Sequence, residues 1–510
     1  MTSQVSDPIG DFLGDPQTHG GAEVSQVETH ISRIFLAGDK AWKIKKPMTF
    51  PFLDFSTLEK RKTFCEQEIT LNRRTAPDLY IGLHAITRDA SGTLAIDGNG
   101  ETVEWAIEMA RFDESTLFDK LAAADKLDRK LLEQLAAEIA VFHAVAEPVY
   151  QDGLGGAKGL KDVIDGNTQM MRDFPQFLDD GKVTALQAAS ARALEAQAAI
   201  LDQRQREGLV RRCHGDLHLR NICLVDGAPT VFDAIEFNDD FSCIDMLYDL
   251  AFLLMDLDFR GLADAANLIF NRYMDITGDI NGIGALPLMM ATRAGIRSKV
   301  GALTAAQFAE KDAGPVVAEA RAYLDAAVHY LQESTPRLIA VGGLSGSGKS
   351  RLARSLAPII GATPGALVLR TDAIRKRLMG VAPLDRLGSD GYAPTVTEKV
   401  YETLEQEAAQ ALALGRPVIA DAVFARPDQR NRLRALAERQ NLPFQGLWCA
   451  AAPEIMAERI SSRKNNISDA DTQVLQKQLA LDLGPLDWAP IDTSGSREQT
   501  DAAAREVLSL

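Results

Sequence analysis

Cysteine is scarce in this chain of 510 residues, and what there is lies scattered. The positions are Cys65, Cys213, Cys223, Cys243 and Cys449, with no C-x-x-C pair among them. That excludes a disulfide scaffold and a cysteine-built zinc site, and it sets the expectation of a reduced, cytoplasmic protein. Positive charge is also in deficit: 55 Lys and Arg against 71 Asp and Glu leave a formal charge of −16. A nonspecific nucleic-acid or anionic-membrane surface is therefore not expected, although a local basic pocket is compatible with that balance. No apolar run approaches the length of a membrane span. The opening MTSQVSDPIGDFLGDPQTHGG has no apolar core of the kind a signal peptide needs. Internal repeats are absent too. What remains is ordinary soluble composition, 46 % hydrophobic and 25 % charged, in a length that suits about three domains.

The clearest positive signal is Gly343-Leu-Ser-Gly-Ser-Gly-Lys-Ser350, which matches G-x-x-x-x-G-K-[ST] without departure. Leu338-Ile-Ala-Val341 before it reads as a buried strand, and Arg351 to Ile360 after it has helical spacing of apolar residues. Gly343, Gly346 and Gly348 permit positive φ, so that backbone N–H groups along the loop, including Ser345 and Ser347, can wrap a phosphate chain. Lys349 would reach the β- and γ-phosphates, and the Ser350 hydroxyl would hold Mg²⁺. The phosphates would then rest on a helix N-terminus.

Upstream, residues 1–23 read as a flexible tail. Arg33-Ile-Phe-Leu36, a Gly38-Asp39 turn and Ala41 to Lys45 read as a hairpin, with Trp42 and Ile44 on one face and Lys43 and Lys45 on the other. From the hairpin alone, a solvated edge is the expected setting for those lysines, and an ammonium over a phosphate is the alternative. Phe55 to Arg74 reads as a charged helix with Ser56 as N-cap and Glu59 at the capping-box position. Strands follow over Leu79–Ile86, Leu94–Ile96 and Glu104–Arg111, and helical patterns dominate from Thr116 to about Arg212. A small sheet followed by a helical mass is a two-lobed arrangement.

A second chemical motif lies at His214-x-Asp216-x-x-x-x-Asn221, followed by an apolar strand, an Asp226-Gly227 turn and Thr230-Val-Phe-Asp233-Ala-Ile-Glu236. A carboxylate that orients an acceptor hydroxyl, an amide five residues on that ligates Mg²⁺, and a second carboxylate delivered by a hairpin have the spacing of a phosphotransfer loop. The tight turn brings Asn221 and Asp233 to the hairpin's open end.

HGDLHLRNICLVDG, VFDAIEF and the later Tyr248-Asp249-Leu-Ala resemble the aminoglycoside phosphotransferase group of the protein-kinase-like fold, over about residues 24–332. The resemblance implies that a hairpin lysine (Lys43, with Lys45 second) pairs with a helix glutamate, Glu68 before Glu66, and with the α- and β-phosphates. It implies Asp216 as catalytic base and Asn221 and Asp233 as metal ligands. It makes the backbone from Glu108 to Ala110 the hinge that meets adenine, and it gives His214 and Asp249 roles in shaping the loop. A Gly-rich phosphate loop is lacking, so Glu28–Ser32 must serve in its place, and Asp233-Ala-Ile-Glu236 stands where D-F-G is usual. Glu236 is then either an addition to the site or a surface group.

After a seam at Glu333-Ser-Thr-Pro336, residues 336–510 resemble small P-loop kinases of the gluconate kinase, adenylylsulfate kinase and zeta-toxin kind. That likeness implies Asp372, at the end of the strand Ala366–Arg370, as the residue that contacts or deprotonates the acceptor, and Asp421 as a weaker candidate. Arg459 and Arg463, at i and i+4, would be lid arginines that meet the charge of the transferred group. The whole order resembles a bacterial bifunctional family: an α+β two-lobed kinase-like fold joined to an α/β P-loop fold with a mostly parallel sheet. The expected activity is ATP·Mg²⁺-dependent phosphorylation of a small-molecule hydroxyl by each module. Neither nucleic acid, nor membrane, nor an obligate protein partner is expected. Two alternatives are one catalytic module beside a nucleotide-gated one, and a slow ATPase that acts through interactions.

Overall fold

The computed structural model describes residues 7–50, 53–151, 153–308, 313–382, 385–462, 467–469 and 471–510. Its principal elements begin with α1 (Pro8–Gly14), β1 (Val24–Glu28), β2 (Ser32–Ala37), β3 (Lys40–Lys45) and α2 (Leu58–Asn72). Then come β4 (Tyr80–Arg88), β5 (Leu94–Ile96), β6 (Glu101–Ala110), α3 (Arg129–Val145), α4 (Gly156–Arg172) and α5 (Asp180–Arg206). Four short strands follow, β7 (Val210–Arg212), β8 (Ile222–Val225), β9 (Ala228–Val231) and β10 (Cys243–Asp245). Helices α6 (Met246–Phe259), α7 (Ala263–Thr277), α8 (Leu286–Ala305) and α9 (Gly314–Tyr330) precede the second large sheet. The chain forms two compact units, Met1–Gly159 with Gln205–Asp249, and Leu160–Arg204 with Leu250–Leu510.

In the first unit β1–β6 make one antiparallel sheet in the order β1-β2-β3-β6-β4-β5. One face packs Ile107, Met109 and Leu36 against Cys65 and Ile69 of α2. The other face carries Phe35, Trp42, Ile44 and Ala106, and Leu13 of α1 is packed against it with no exposure. The opening segment is thus not a loose tail where it is described. Asp7 caps α1 by accepting from Gly10 N–H at 3.1 Å, and the helix covers apolar surface that the sheet would otherwise leave to water. The lysine expectation also changes. Alternation does put Lys43 and Lys45 on one face, but β3 is interior, between β2 and β6, and the two residues are 8 % and 1 % exposed. The α2 cap is Thr57, whose Oγ1 accepts from Lys60 N–H at 3.3 Å, while Ser56 bonds to Asp54 instead. The β8–β9 hairpin turns at Asp226 and Gly227, both at positive φ (51° and 77°), the pairing a tight hairpin turn demands.

In the second unit the strands β11 (Leu338–Gly342), β12 (Leu367–Arg370), β13 (Val418–Asp421), β14 (Phe444–Ala450) and β15 (Ala489–Asp492) are all parallel, in the order β12-β13-β11-β14-β15. Interleaved are α10 (Lys349–Leu356), α11 (Thr371–Leu378), α12 (Pro394–Ala413), α13 (Pro427–Arg439), α14 (Pro453–Ser461), α15 (Thr472–Leu479) and α16 (Arg497–Leu508). Ile339, Val341, Leu352, Leu356, Val368, Ile419 and Leu447 form its core, the strands being apolar on both faces as a covered parallel sheet requires.

The outer edge of β12 is covered by α7, not by another strand. Asn267 Nδ2 donates to the carbonyls of Pro364 and Ala366 at 2.7 and 3.2 Å. Asn271 donates to Ala366 O at 3.1 Å and accepts from Val368 N–H at 2.6 Å. Asp275, one turn on, pairs with Arg370 at the strand's end. The helices after Asp249 therefore group with the P-loop sheet, although the sequence seam lies at 333–336. No helix among the described residues is long and apolar enough to cross a membrane.

Candidate active sites

The first site is assembled from β3, α2 and the two loops that flank the β8–β9 hairpin. Lys43 Nζ lies 2.6 Å from Glu68 Oε1 and 2.6 Å from Asp233 Oδ1. Lys45 Nζ lies 2.6 Å from the other Glu68 oxygen, Oε2, and pairs with Glu236. Glu68 thus divides its carboxylate between both lysines, and the choice between them as its partner does not arise. Burial opposes the charge on Lys43, but Asp233 and Glu68 outweigh it and hold the ammonium well above its ordinary range. Burial likewise opposes ionised Glu68, yet the two ammonium groups hold its carboxyl down at about 2. Burial pushes the Glu236 carboxyl up, against the pull of Lys45.

Asp216 is bound by Asn221 and by His218. Asn221 Nδ2 donates to its Oδ2 at 3.0 Å and to its backbone carbonyl at 3.0 Å. His218 Nδ1 accepts from Arg220 N–H at 3.2 Å, which leaves the proton on Nε2, 3.2 Å from Asp216 Oδ2. The Asn221 amide nitrogen is thus engaged by Asp216, and its amide oxygen takes no part in that contact. His214 is fully buried, and burial pushes its pKa down, so the ring is neutral. Its Nε2–H donates to Phe232 O at 2.8 Å and its Nδ1 accepts from Asp216 N–H at 3.2 Å. The imidazole therefore ties the Asp216 loop to the strand end that carries Asp233. Asp249 supports the same loop by accepting from His214 N–H at 3.0 Å and Gly215 N–H at 2.9 Å. Asn72 links α2 to the loop after Asp233: it donates to Glu68 O at 2.9 Å and accepts from Ala234 N–H at 2.8 Å. Its position four residues after Glu68 was the one sequence signal that could have found it.

The stretch expected as the hinge is ladder backbone. Glu108–Ala110 lie inside β6, paired with β3 on one side, and Ala110 N–H is bound to Leu79 O at 2.9 Å. The Glu108 side chain belongs to the face away from Lys43, 2.7 Å from Lys40 and 2.8 Å from His84. Backbone that has left the ladder begins only after Arg111, whose N–H still bonds Asp39 O at 2.8 Å. Glu108 and Ala110 are therefore ladder residues, and a hinge would fall a few residues later.

The second site lies at the carboxyl ends of β11, β12 and β13, where an open α/β sheet offers its crevice. Gly343, Gly346 and Gly348 all take positive φ (145°, 84° and 86°). A Cβ on Gly346 would stand 2.5 Å from Met456 O, and one on Gly343 2.5 Å from Cys449 O, so the loop's course depends on glycine at both. The Asp421 carboxyl is pushed up by burial and pulled down by Lys349 and by a bond from Ser350. Among the described residues Ser347 Oγ and Asp421 Oδ1 are buried without a hydrogen-bond partner, and such atoms fit a phosphate chain and its cation. Asp372, at the start of α11, is close enough to Asp421 for their charges to interact. Arg459 borders the loop with its guanidinium on Thr493 O at 2.6 Å, and Thr493 Oγ1 in turn donates to Ser347 O at 2.7 Å. Arg463 lies outside the described residues. One contact had no sequence signal: Gln478 of α15 accepts from Ser345 N–H at 2.7 Å, across 133 positions.

Both sites carry the marks of phosphoryl-transfer folds, and comparison with known proteins agrees. The Phosphotransferase enzyme family matches residues 91–278, and an AAA domain family matches 338–481. The chain is thus made of two kinase-type domains, one kinase-like with an antiparallel sheet and one P-loop with a parallel sheet. It is 30 % identical over 490 residues, 94 % of each chain, to the uncharacterized proteins Mb2027c of Mycobacterium bovis and Rv2004c of Mycobacterium tuberculosis. It belongs to their family. Solved structures that resemble parts of it include the Plasmodium vivax ethanolamine kinase (10 % identity, TM-score 0.37, 60 % of this chain and 82 % of that one). A choline/ethanolamine kinase family protein of Mesorhizobium loti is 12 % identical (TM-score 0.36, 63 % and 97 %). A gluconokinase of Sinorhizobium meliloti is 22 % identical (TM-score 0.24, 35 % and 97 %).

Proposed function

We propose that both modules, residues 24–332 and 336–510, are ATP-dependent phosphotransferases that act on hydroxyl groups of small molecules. The observation that carries this reading is that His214 ties the loop of Asp216 and Asn221 to the strand end that carries Asp233, which Lys43 meets at 2.6 Å. Mg²⁺·ATP, when bound, supplies the transferable phosphoryl group and neutralises its charge. Asp216, held by Asn221 and His218, orients an acceptor hydroxyl and takes its proton. Asn221 and Asp233 hold the metal, and Lys43 turns to the phosphates. In the second module the Gly343–Ser350 backbone and Lys349 hold the phosphates, and Ser350 and Asp421 hold the metal. Asp372 aligns the acceptor, and Arg459, with Arg463, steadies the charge of the transferred group.

The test is to incubate the purified protein with ATP and a metabolite extract and to follow which compounds gain phosphate. Asp216→Ala is expected to lower one set of products about a hundredfold or more, and Lys349→Ala the other. If neither variant changes any product, the reading fails. A second reading, that the P-loop module is a nucleotide-gated element rather than a second kinase, draws support from the Gln478 side chain on Ser345 N–H. In that case Lys349→Ala abolishes no product and alters only the rate of those that depend on Asp216.

A further inference from the structure

The group of charges around Lys43 and Lys45 is larger than phosphate binding and metal binding need. Lys43, Lys45, Glu68 and Glu236 are all at most 9 % exposed, while the Asp233 side chain is 46 % exposed. The four buried groups sum to zero: two ammonium groups, two carboxylates. Asp233 is the fifth member and the surplus negative charge. The neighbouring ions are already balanced, since Arg61 is bound to Glu104 at 2.9 Å on the same side of α2. Around Lys45 stand Glu68, Glu236, the neutral thiol of Cys65 and the Phe55 ring, whose centroid is 4.8 Å away. Around Lys43 stand Glu68, Asp233 and the phenol of Tyr80, and the charge of Glu236 also acts on it, though it is Lys45 that Glu236 pairs with.

We propose that Glu236 is a positioning residue for the metal carboxylate: by neutralising Lys45 it leaves Glu68 to balance Lys43, so that Asp233 is free to leave the lysine for a cation. This rests on the assignment of Asp233 as a metal ligand made above. An uncompensated buried charge costs far more than a satisfied one, so the lysines keep whichever carboxylates bring the buried set to neutrality. With Glu236 in place, departure of Asp233 leaves a neutral core. Without it, two ammonium groups share Glu68 alone, and Asp233 is retained by Lys43 as the second counter-charge. Glu236 touches neither the nucleotide nor the metal in this scheme; it sets the charge against which Asp233 is held.

The test uses the full chain with Lys349→Ala, which silences the P-loop site, and a fluorescent ribose-labelled ATP. Dissociation constants are measured in EDTA and in Mg²⁺, together with the melting temperature of the nucleotide-free protein. Glu236→Gln is expected to leave the EDTA value within about twofold and to reduce the tightening produced by Mg²⁺ about tenfold. The double variant Lys45→Met/Glu236→Leu, which removes both charges and so restores the balance, is expected to recover the Mg²⁺ response. An equal loss with and without Mg²⁺, or a double variant no better than Glu236→Gln, overturns the inference, because a merely structural pair behaves in that way. Asp233→Asn is the control. If it leaves the Mg²⁺ response intact, Asp233 is no metal ligand, and the reading of the whole site falls with the inference. If it abolishes the response while Glu236→Gln does not, only the inference falls.

Discussion

Glu68 serves two lysines with one carboxylate, and the acid limb of the protein's stability should report it. Its carboxyl sits at about 2 instead of 4.5. Below 4.5 the unfolded chain takes up a proton that the folded chain refuses, so this contribution is complete above that pH and is lost as the pH falls towards 2. Glu68→Gln is expected to cost about 3–5 kcal/mol at neutral pH and to flatten the decline of melting temperature with acid over that window. A variant with an unchanged pH profile would contradict the assignment. His214 works in the same direction over a higher range. Its pKa is pushed below the ordinary 6.5, so stability begins to fall as the pH drops through 6.5. Single residues were the least legible scale in the sequence. Alternation placed Lys43 and Lys45 on one face but could not say that β3 is interior, because strand order is a long-range property. Asp216, Asn221 and Asp233 were legible because turn chemistry fixes their spacing locally. Gln478 was illegible because its partner lies in a distant part of the chain and the contact follows from tertiary placement alone.

Elements were easier to read where local chemistry decides them. The Asp226-Gly227 hairpin, the strand–loop–helix around Lys349 and the helix carrying Glu68 all follow from turn residues, glycine and periodicity. Helix α1 was missed because a seven-residue segment between proline and glycine has little intrinsic tendency to be helical, and its stability comes from what it covers. Leu13 packs against Phe35, Trp42 and Ile44, on the face of the sheet opposite the lysines. Leu13→Ala is expected to destabilise the protein by about 2–5 kcal/mol, visible as a lower melting temperature. Hydrogen exchange should speed up in β2 and β3 before it does in β11 and β13. Equal acceleration everywhere would mean that α1 is not a local clamp on this sheet.

At the scale of the whole molecule, two unrelated folds each carry a candidate nucleotide site, and calorimetry can count them. Mg²⁺·ATP or its non-hydrolysable analogue is expected to bind at two sites per chain. Lys349→Ala and Asp233→Asn should each remove one, and together they should abolish binding. One site in the parent protein would refute the two-site organisation. The modular order was plain from the motifs, whereas the grouping of α7 with the P-loop sheet was not, because no motif marks a packing face.

That grouping has a consequence beyond catalysis. A parallel sheet that ends in a bare strand presents a row of unpaired amides and carbonyls, a template on which another polypeptide can extend the sheet. Asn267 and Asn271 meet that row at Val368 N–H of β12 and at the Pro364 and Ala366 carbonyls just before it, with side-chain amides that carry the same donors and acceptors as a backbone but end with the side chain. The helix thereby caps the sheet at its β12 edge. A chain caught in synthesis or unfolding with α7 undocked would lose that protection at β12 first, and open-ended self-association through this edge is the form its misassembly would take.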